Sequence, residues 1–173
     1  DFTPGIFDLL IKRPTGAPHA PEEARPRSTL AKQLALYVVL YSPVQMAADL
    51  PENYQGQPAF QFIRDVAVDW DTTRVLAGRI GDYVVVARKT RGKDEWFLGA
   101  ITDEEPRTLN VSLSLLPTGR RYLADVYADG PQASWRDNPE SIVISSRPVT
   151  SSTRLDLRLA PGGGQAIRIR PAP

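Results

Sequence analysis

What most constrains this chain is a change of hydrophobic period near Trp70. Before that point apolar residues recur at helical spacing. After it they alternate in short runs separated by Gly, Pro and Asp turns. A switch from a period of about 3.6 to about 2 marks a junction between two architectures. The boundary falls at residue 71, dividing the chain into 1–70 and 71–173.

In the first part, residues 12–27 carry Pro14, Pro18, Pro21 and Pro26, each fixing φ and removing a donor, which reads as a surface loop. Ser28 is placed to cap a helix whose Leu30, Leu34, Tyr37 and Tyr41 share one face, with Pro43 as its stop. Ala35, Leu36, Val38, Val39 and Leu40 occupy the other faces, so this helix calls for burial. With few neighbours in its own half, it is expected to leave apolar surface exposed or to associate. Val44–Ala48 reads as a strand, Leu50–Tyr54 as a loop, and residues 58–68 as a second helix with Pro58 in its first turn. One strand and two helices cannot close a parallel sheet, so this half is expected to be an α/β fragment of something larger.

The second part is expected to be mainly β. Tyr83–Ala87 and Trp96–Ile101 are apolar runs joined by a polar turn at Gly92, a hairpin with buried faces. Leu109, Val111, Leu113 and Leu115 alternate with polar residues. So do Leu155, Leu157 and Leu159, and Ile167 and Ile169. Tyr122–Tyr127 and Ile142–Ile144 complete a set of short strands with no helices between them, which predicts an antiparallel β-sandwich.

Composition removes several functions. Lys plus Arg number 21 against 20 for Asp plus Glu, so no strong field draws the chain to nucleic acid or an anionic membrane. The absence of cysteine excludes disulfides, thiolate zinc sites and cysteine nucleophiles. No apolar run reaches the roughly 20 residues of a membrane span, and Asp1-Phe2-Thr3-Pro4-Gly5 is not a leader, so any export signal would lie upstream.

The residues 1–7 (Asp-Phe-Thr-Pro-Gly-Ile-Phe), the run from Leu30 to Tyr54 and residues 62–71 together resemble the end of the catalytic barrel in glycoside hydrolase family 97. Residues 81–89, 96–103 and 160–166 are similar to that family's C-terminal β-sandwich, in the same order. The resemblance implies a fold class that is mainly β, a C-terminal antiparallel sandwich preceded by an α/β remnant of a (β/α)8 barrel. It also implies a periplasmic or secreted bacterial parent that acts on α-glucosides with inversion or α-galactosides with retention. The parent would use calcium, and its partners for this chain would be the rest of the barrel and an N-terminal β-sandwich. In the family the catalytic carboxylates and calcium-binding glutamates precede the segment that residues 1–5 resemble. No catalytic residue, metal ligand or cofactor is therefore carried over to this chain.

Hydrolysis of a glycosidic bond needs two carboxyl groups, about 5–5.5 Å apart for retention or about 6.5–9.5 Å for inversion. Asp1 and Asp49 follow what look like barrel strand ends, where such barrels build their active face. Asp49, Glu52 and Asn53 are accordingly the candidates to line a sugar pocket, with solvated loop carboxylates as the plainer account. The adjacent pairs Glu22-Glu23 and Glu104-Glu105 read as solvated charges, and His19, between prolines, lacks a framework for catalysis. Gly162-Gly163-Gly164 is followed by a strand-like segment and lacks the Lys-Ser or Lys-Thr of a phosphate loop, so it reads as a turn. Asn110-Val111-Ser112 lies inside an expected strand and reads as a chance glycosylation match.

Of the tryptophans, Trp96 is expected in the core and Trp70 between the two parts, leaving Trp135 as the candidate sugar platform, with loop anchoring as the alternative. The reading is a structural, interdomain or oligomerising segment of a glycoside hydrolase, inactive by itself, with homo-oligomeric association among what the family resemblance implies. The alternatives are a carbohydrate-binding sandwich and a stand-alone protein-interaction remnant.

Overall fold

Residues 3–10 and 25–173 are described by the computed structural model. Three short helices come first: α1 (Leu30–Val39), α2 (Pro51–Tyr54) and α3 (Phe60–Asp65). Eight strands follow: β1 (Trp70–Arg79), β2 (Tyr83–Thr90), β3 (Trp96–Thr102), β4 (Arg107–Ser112), β5 (Tyr122–Asp129), β6 (Ile142–Val149), β7 (Arg154–Leu159) and β8 (Gly164–Pro171). Six of them form one sheet in the order β1-β2-β3-β8-β5-β6, and β4 and β7 form a second, with every neighbouring pair antiparallel. The expected β2–β3 hairpin is present, and Gly92 in its turn has a φ of 70°, open to glycine without a Cβ clash.

The two sheets pack through Val85, Leu98, Ala100, Ile167 and Ile169 on one side and Val111, Leu155, Leu157 and Leu159 on the other. In β7 the alternation is complete: Leu155, Leu157 and Leu159 are buried, while Arg154, Asp156 and Arg158 are exposed. The opposite face of the large sheet is also covered. Trp70, Phe97, Tyr127 and Ala166 meet Leu34, Ala35, Tyr37 and Val38 of α1 and Phe62 of α3. Phe97 sits edge to face with both Phe62 and Trp70, at 5.9 and 5.8 Å between ring centroids.

This arrangement overturns in part the expectation that the helix leaves apolar surface exposed: Leu30, Ala31, Leu34, Ala35, Leu36, Tyr37 and Val38 are all buried, while Leu40 and Tyr41, just past its end, stay exposed. The missing neighbours are β3 and β8, and the approach is close because small residues line their outer face. A Cβ added to Gly99 would lie 2.6 Å from the Ala35 carbonyl, and one added to Gly164 would lie 2.6 Å from the Lys32 Cα. Thr29, not Ser28, caps the helix: its hydroxyl accepts from the Lys32 N–H at 3.2 Å, while the Ser28 hydroxyl donates to the Thr29 carbonyl.

Other local expectations change too. Val44–Ala48 is not a strand, since no neighbour among the described residues offers it a ladder. It is held by the Ala48 N–H donating to the Pro4 carbonyl at 3.1 Å and the Tyr37 hydroxyl donating to the Met46 carbonyl at 3.0 Å. The expected loop at Leu50–Tyr54 contains α2, started by Pro51 with Glu52 in its first turn. The helix expected over 58–68 is confined to α3. Strand β1 escaped the hydrophobic pattern because register shifts at Trp70/Thr72 and Val75/Ala77 break its alternation.

Candidate functional site

Asp49, the strongest carboxylate candidate in the first part, is fully engaged. Its Oδ2 accepts from the N–H groups of Phe7 and Asp8 at 2.7 and 2.8 Å, and its Oδ1 accepts from the Leu50 N–H at 2.8 Å and the Asn53 amide at 2.6 Å. Burial pushes this carboxyl's pKa up, but those donors outweigh it and hold it below the ordinary carboxylate value. The Asp49 N–H in turn donates to the Tyr54 hydroxyl, which donates to the Gly5 carbonyl, both at 2.8 Å. Asp49 and Tyr54 thus tie residues 5–8 to α2 and the turn before it, and Asn53 steadies the Asp49 carboxylate. Glu52 is exposed and, with Asn53, Asp8 and Glu140, borders a hollow of 410 Å³.

A second cluster sits where the start of α1 meets the loops of the sandwich, and sequence reasoning missed it. Asp129, at the end of β5, accepts from the Thr29 hydroxyl at 2.6 Å and from the N–H groups of Ala160 and Gly164 at 2.8 and 2.9 Å. Burial holds its carboxyl above the usual carboxylate value despite these donors. Gly163 is needed beside it, because an added Cβ would lie 2.0 Å from Asp129 Oδ2. The Lys32 ammonium donates to the Thr102 carbonyl at 2.6 Å, and burial lowers its pKa against the pull of Asp103, Asp129 and Glu104. Asp103 is gripped by Arg107 at both oxygens, and that pairing, with the Glu105 N–H, holds its carboxyl down to about 2. The available signal was an Asp closing a strand upstream of a triple-glycine turn. The chain distance between them hid the contact.

Trp135 lies on the rim of this cluster, in a polar hollow of 730 Å³ with Lys32, Asp103, Glu104, Glu105 and Asp137. It is half-buried. Its backbone N–H donates to the Pro161 carbonyl at 3.0 Å. Its side chain rests on Gly162, where an added Cβ would lie 2.6 Å from the ring, and the guanidinium carbons of Arg136 and Arg27 stand 5.1 and 5.6 Å from the ring centroid. The indole therefore anchors the loop to the Gly162 turn and carries two cations. Gly162-Gly163-Gly164 is a turn leading into β8, and Gly162 has a φ of 65°. Trp96 and Trp70 are both buried. Asn110 on β4 exchanges side-chain hydrogen bonds with Asp156 and Arg154 of β7.

Glu104 and Glu105 lie in the turn before β4. Asp1, His19, Glu22 and Glu23 lie outside the described residues. Calcium takes about six to eight oxygen ligands. Among the described residues no three His, Cys, Asp or Glu side chains converge to hold a metal, and the oxygens of Asp49 and Asp129 face N–H and O–H donors. The described residues do not fit that ion. Among the described residues no helix is long and apolar enough to cross a membrane.

A family model described as glycosyl-hydrolase 97 C-terminal, oligomerisation, matches residues 69–170. Over 151 residues the chain is 38% identical to a retaining alpha-galactosidase of Bacteroides thetaiotaomicron, covering 86% of this chain and 22% of that protein. Over 167 residues it is 32% identical to a probable retaining alpha-galactosidase of Streptomyces bingchenggensis, again spanning 22% of the relative. A glycoside hydrolase family 97 enzyme from Pseudoalteromonas sp. strain K8, solved with acarbose, superposes on the whole chain with a TM-score of 0.91 and 48% identity, and this chain covers 26% of it.

Proposed function

Since this chain belongs to glycoside hydrolase family 97 and carries that family's C-terminal oligomerisation domain, we propose that it is the non-catalytic end of a longer enzyme that cleaves α-glycosidic bonds. Residues 1–70 are the last part of the catalytic barrel and residues 71–173 the sandwich that braces it. The substrate of the whole enzyme is an α-galactoside or α-glucoside, and calcium belongs to residues outside this chain. The rest of the barrel and an N-terminal sandwich are its partners, in the exported bacterial setting that the family resemblance implies.

The observation that carries this reading is the seating of α1. The last helix-rich segment before the sandwich lies on the Gly99, Gly164 and Ala166 surface of the large sheet, with no room for a side chain at either glycine. Such close packing transmits load between two parts, which is what a brace requires. In this reading Asp49 and Asn53 shape their loop from within, and Glu52 is the residue left to approach a sugar.

The test is to assay the chain on nitrophenyl α-galactoside and α-glucoside while titrating it calorimetrically with galactosides and maltooligosaccharides. The expected result is no turnover and no saturable heat. Turnover abolished by Asp49→Asn would overturn the non-catalytic assignment, and saturable binding lost in Trp135→Ala would replace the brace with a sugar-binding module.

A further inference from the structure

The domain description assigns oligomerisation to residues 69–170 without saying which surface carries it. We propose that the surface is the β1–β2 hairpin and that it is occupied by the same hairpin of a second copy of this chain, related by a twofold axis. The inference rests on the oligomerising role of the domain and adds its location and partner.

Three features of the hairpin converge. First, α1 covers the outer face of the large sheet over β3 and β8 but leaves the far end of β1 and β2 open. A hollow of 780 Å³ remains there, walled by Val75, Ala77, Gly78, Val84 and Ile101, with Lys32 at its edge. Second, two large apolar side chains of this hairpin lie in water: Ile80 is 104% exposed at its tip and Val75 is 67% exposed. A twofold interface needs one patch that complements itself. Ile80 as a knob beside an apolar hollow meets that need, because each copy supplies both parts. Third, β1 is an edge strand whose outer side has no neighbouring strand among the described residues. An antiparallel approach of two such strands sets the Asp69 and Asp71 end of one copy against the Arg79 end of the other, and all three side chains are substantially exposed.

The competing surfaces are less suited. The other edge strand of the large sheet, β6, carries Ser145, Ser146, Arg147 and Pro148, polar residues and a proline that blunt an edge. The exposed Leu40, Tyr41, Val44, Met46 and Leu50 gather past the other end of α1 and lie outside the matched residues.

The experiment is sedimentation of the chain across a concentration series, comparing wild type with Val75→Glu/Ile80→Glu and with Val143→Glu/Ile144→Glu on β6. Both pairs are exposed, and thermal melting checks that each variant is folded; Ile80→Ser is the milder substitution should the hairpin pair fail to fold. The wild type and the β6 pair should sediment as dimers. The hairpin pair should dissociate with a Kd raised about 100-fold, since like charges facing each other across an interface are strongly unfavourable. A hairpin variant that dimerises like the wild type overturns the location and leaves the oligomerising role standing. A β6 variant that alone becomes monomeric moves the interface to the other edge. A wild type monomeric throughout the series overturns the oligomerising role itself and this inference with it.

Discussion

Gly99→Ala should loosen α1 from the sheet. The added Cβ would meet the Ala35 carbonyl at 2.6 Å, the Val38 Cβ at 2.9 Å and the Val39 Cγ2 at 3.1 Å. Ordinary contact begins at 3.4 Å, so the helix must retreat by about 0.8 Å or the strand must bow inward. The nearest atom is backbone oxygen, which cannot swing aside as a side chain tip can. Overpacking of this kind costs about 1–3 kcal/mol. Alanine also restricts the unfolded chain, a gain of about 0.4–1 kcal/mol that masks part of the loss.

Gly78→Ala in β1 supplies the control for that masking term, with both variants unfolded at a concentration where each is monomeric, because Gly78 also walls the proposed dimer surface. It has an unstrained backbone, and its nearest neighbour would lie 3.6 Å from the new Cβ. The difference between the two variants in urea unfolding should therefore be about 1–3 kcal/mol. In a chain of this length that corresponds to a melting temperature lower by about 2–12 °C. Adding Val39→Ala to Gly99→Ala removes the Cγ2 contact and should recover only part of the loss, because the Ala35 carbonyl and Val38 Cβ contacts stay. Equal stabilities for Gly99→Ala and Gly78→Ala would refute the claim that the glycine seats the helix.

Asp129→Ala should cost about 2–4 kcal/mol in urea unfolding, because it strips the acceptor from the Thr29 hydroxyl and from two backbone N–H groups; Asp129→Asn, which keeps one oxygen, should cost less, and equal losses would count against the acceptor role. Asp49→Ala should release residues 5–8 from the turn before α2 at about 2 kcal/mol, read as a roughly 30-fold faster proteolysis within the first 54 residues; cleavage appearing first in the strands would contradict it. Asp103, held down to about 2 from 3.8, adds stability that is present above its unfolded pKa and lost as pH falls through the folded one. The melting temperature gap between wild type and Asp103→Asn should accordingly be open near neutral pH and close as pH drops toward about 2, and a gap indifferent to pH would rule the ion pair out as its source.

The sequence by itself determined the mainly β character of the second part. Alternation is local, so Leu155, Leu157 and Leu159 face inward whatever else happens, and Gly162 turns the chain before β8 because glycine takes a φ of 65° without strain. Its resemblance to a known family was equally legible, being carried by runs of residues. The residue type at Asp49 marked it as a carboxylate to examine, yet its role rests on Phe7 and Asp8, more than 40 residues away. Trp135 was visible as an aromatic in a polar loop, but whether its ring was free depended on Arg27 and Gly162.

Only the tertiary structure decided these contacts, and the same holds for the cover on α1 and the clamp at Asp129. An apolar helix states that it must be buried, not against what. The answer lay in Gly99 and Gly164, which in sequence are small strand residues and in space are the floor on which the helix rests. Strand β1 was hidden for the opposite reason. Its bulges and its exposed edge erase the alternation that identifies a half-buried strand, and its pairing with β2 alone reveals it.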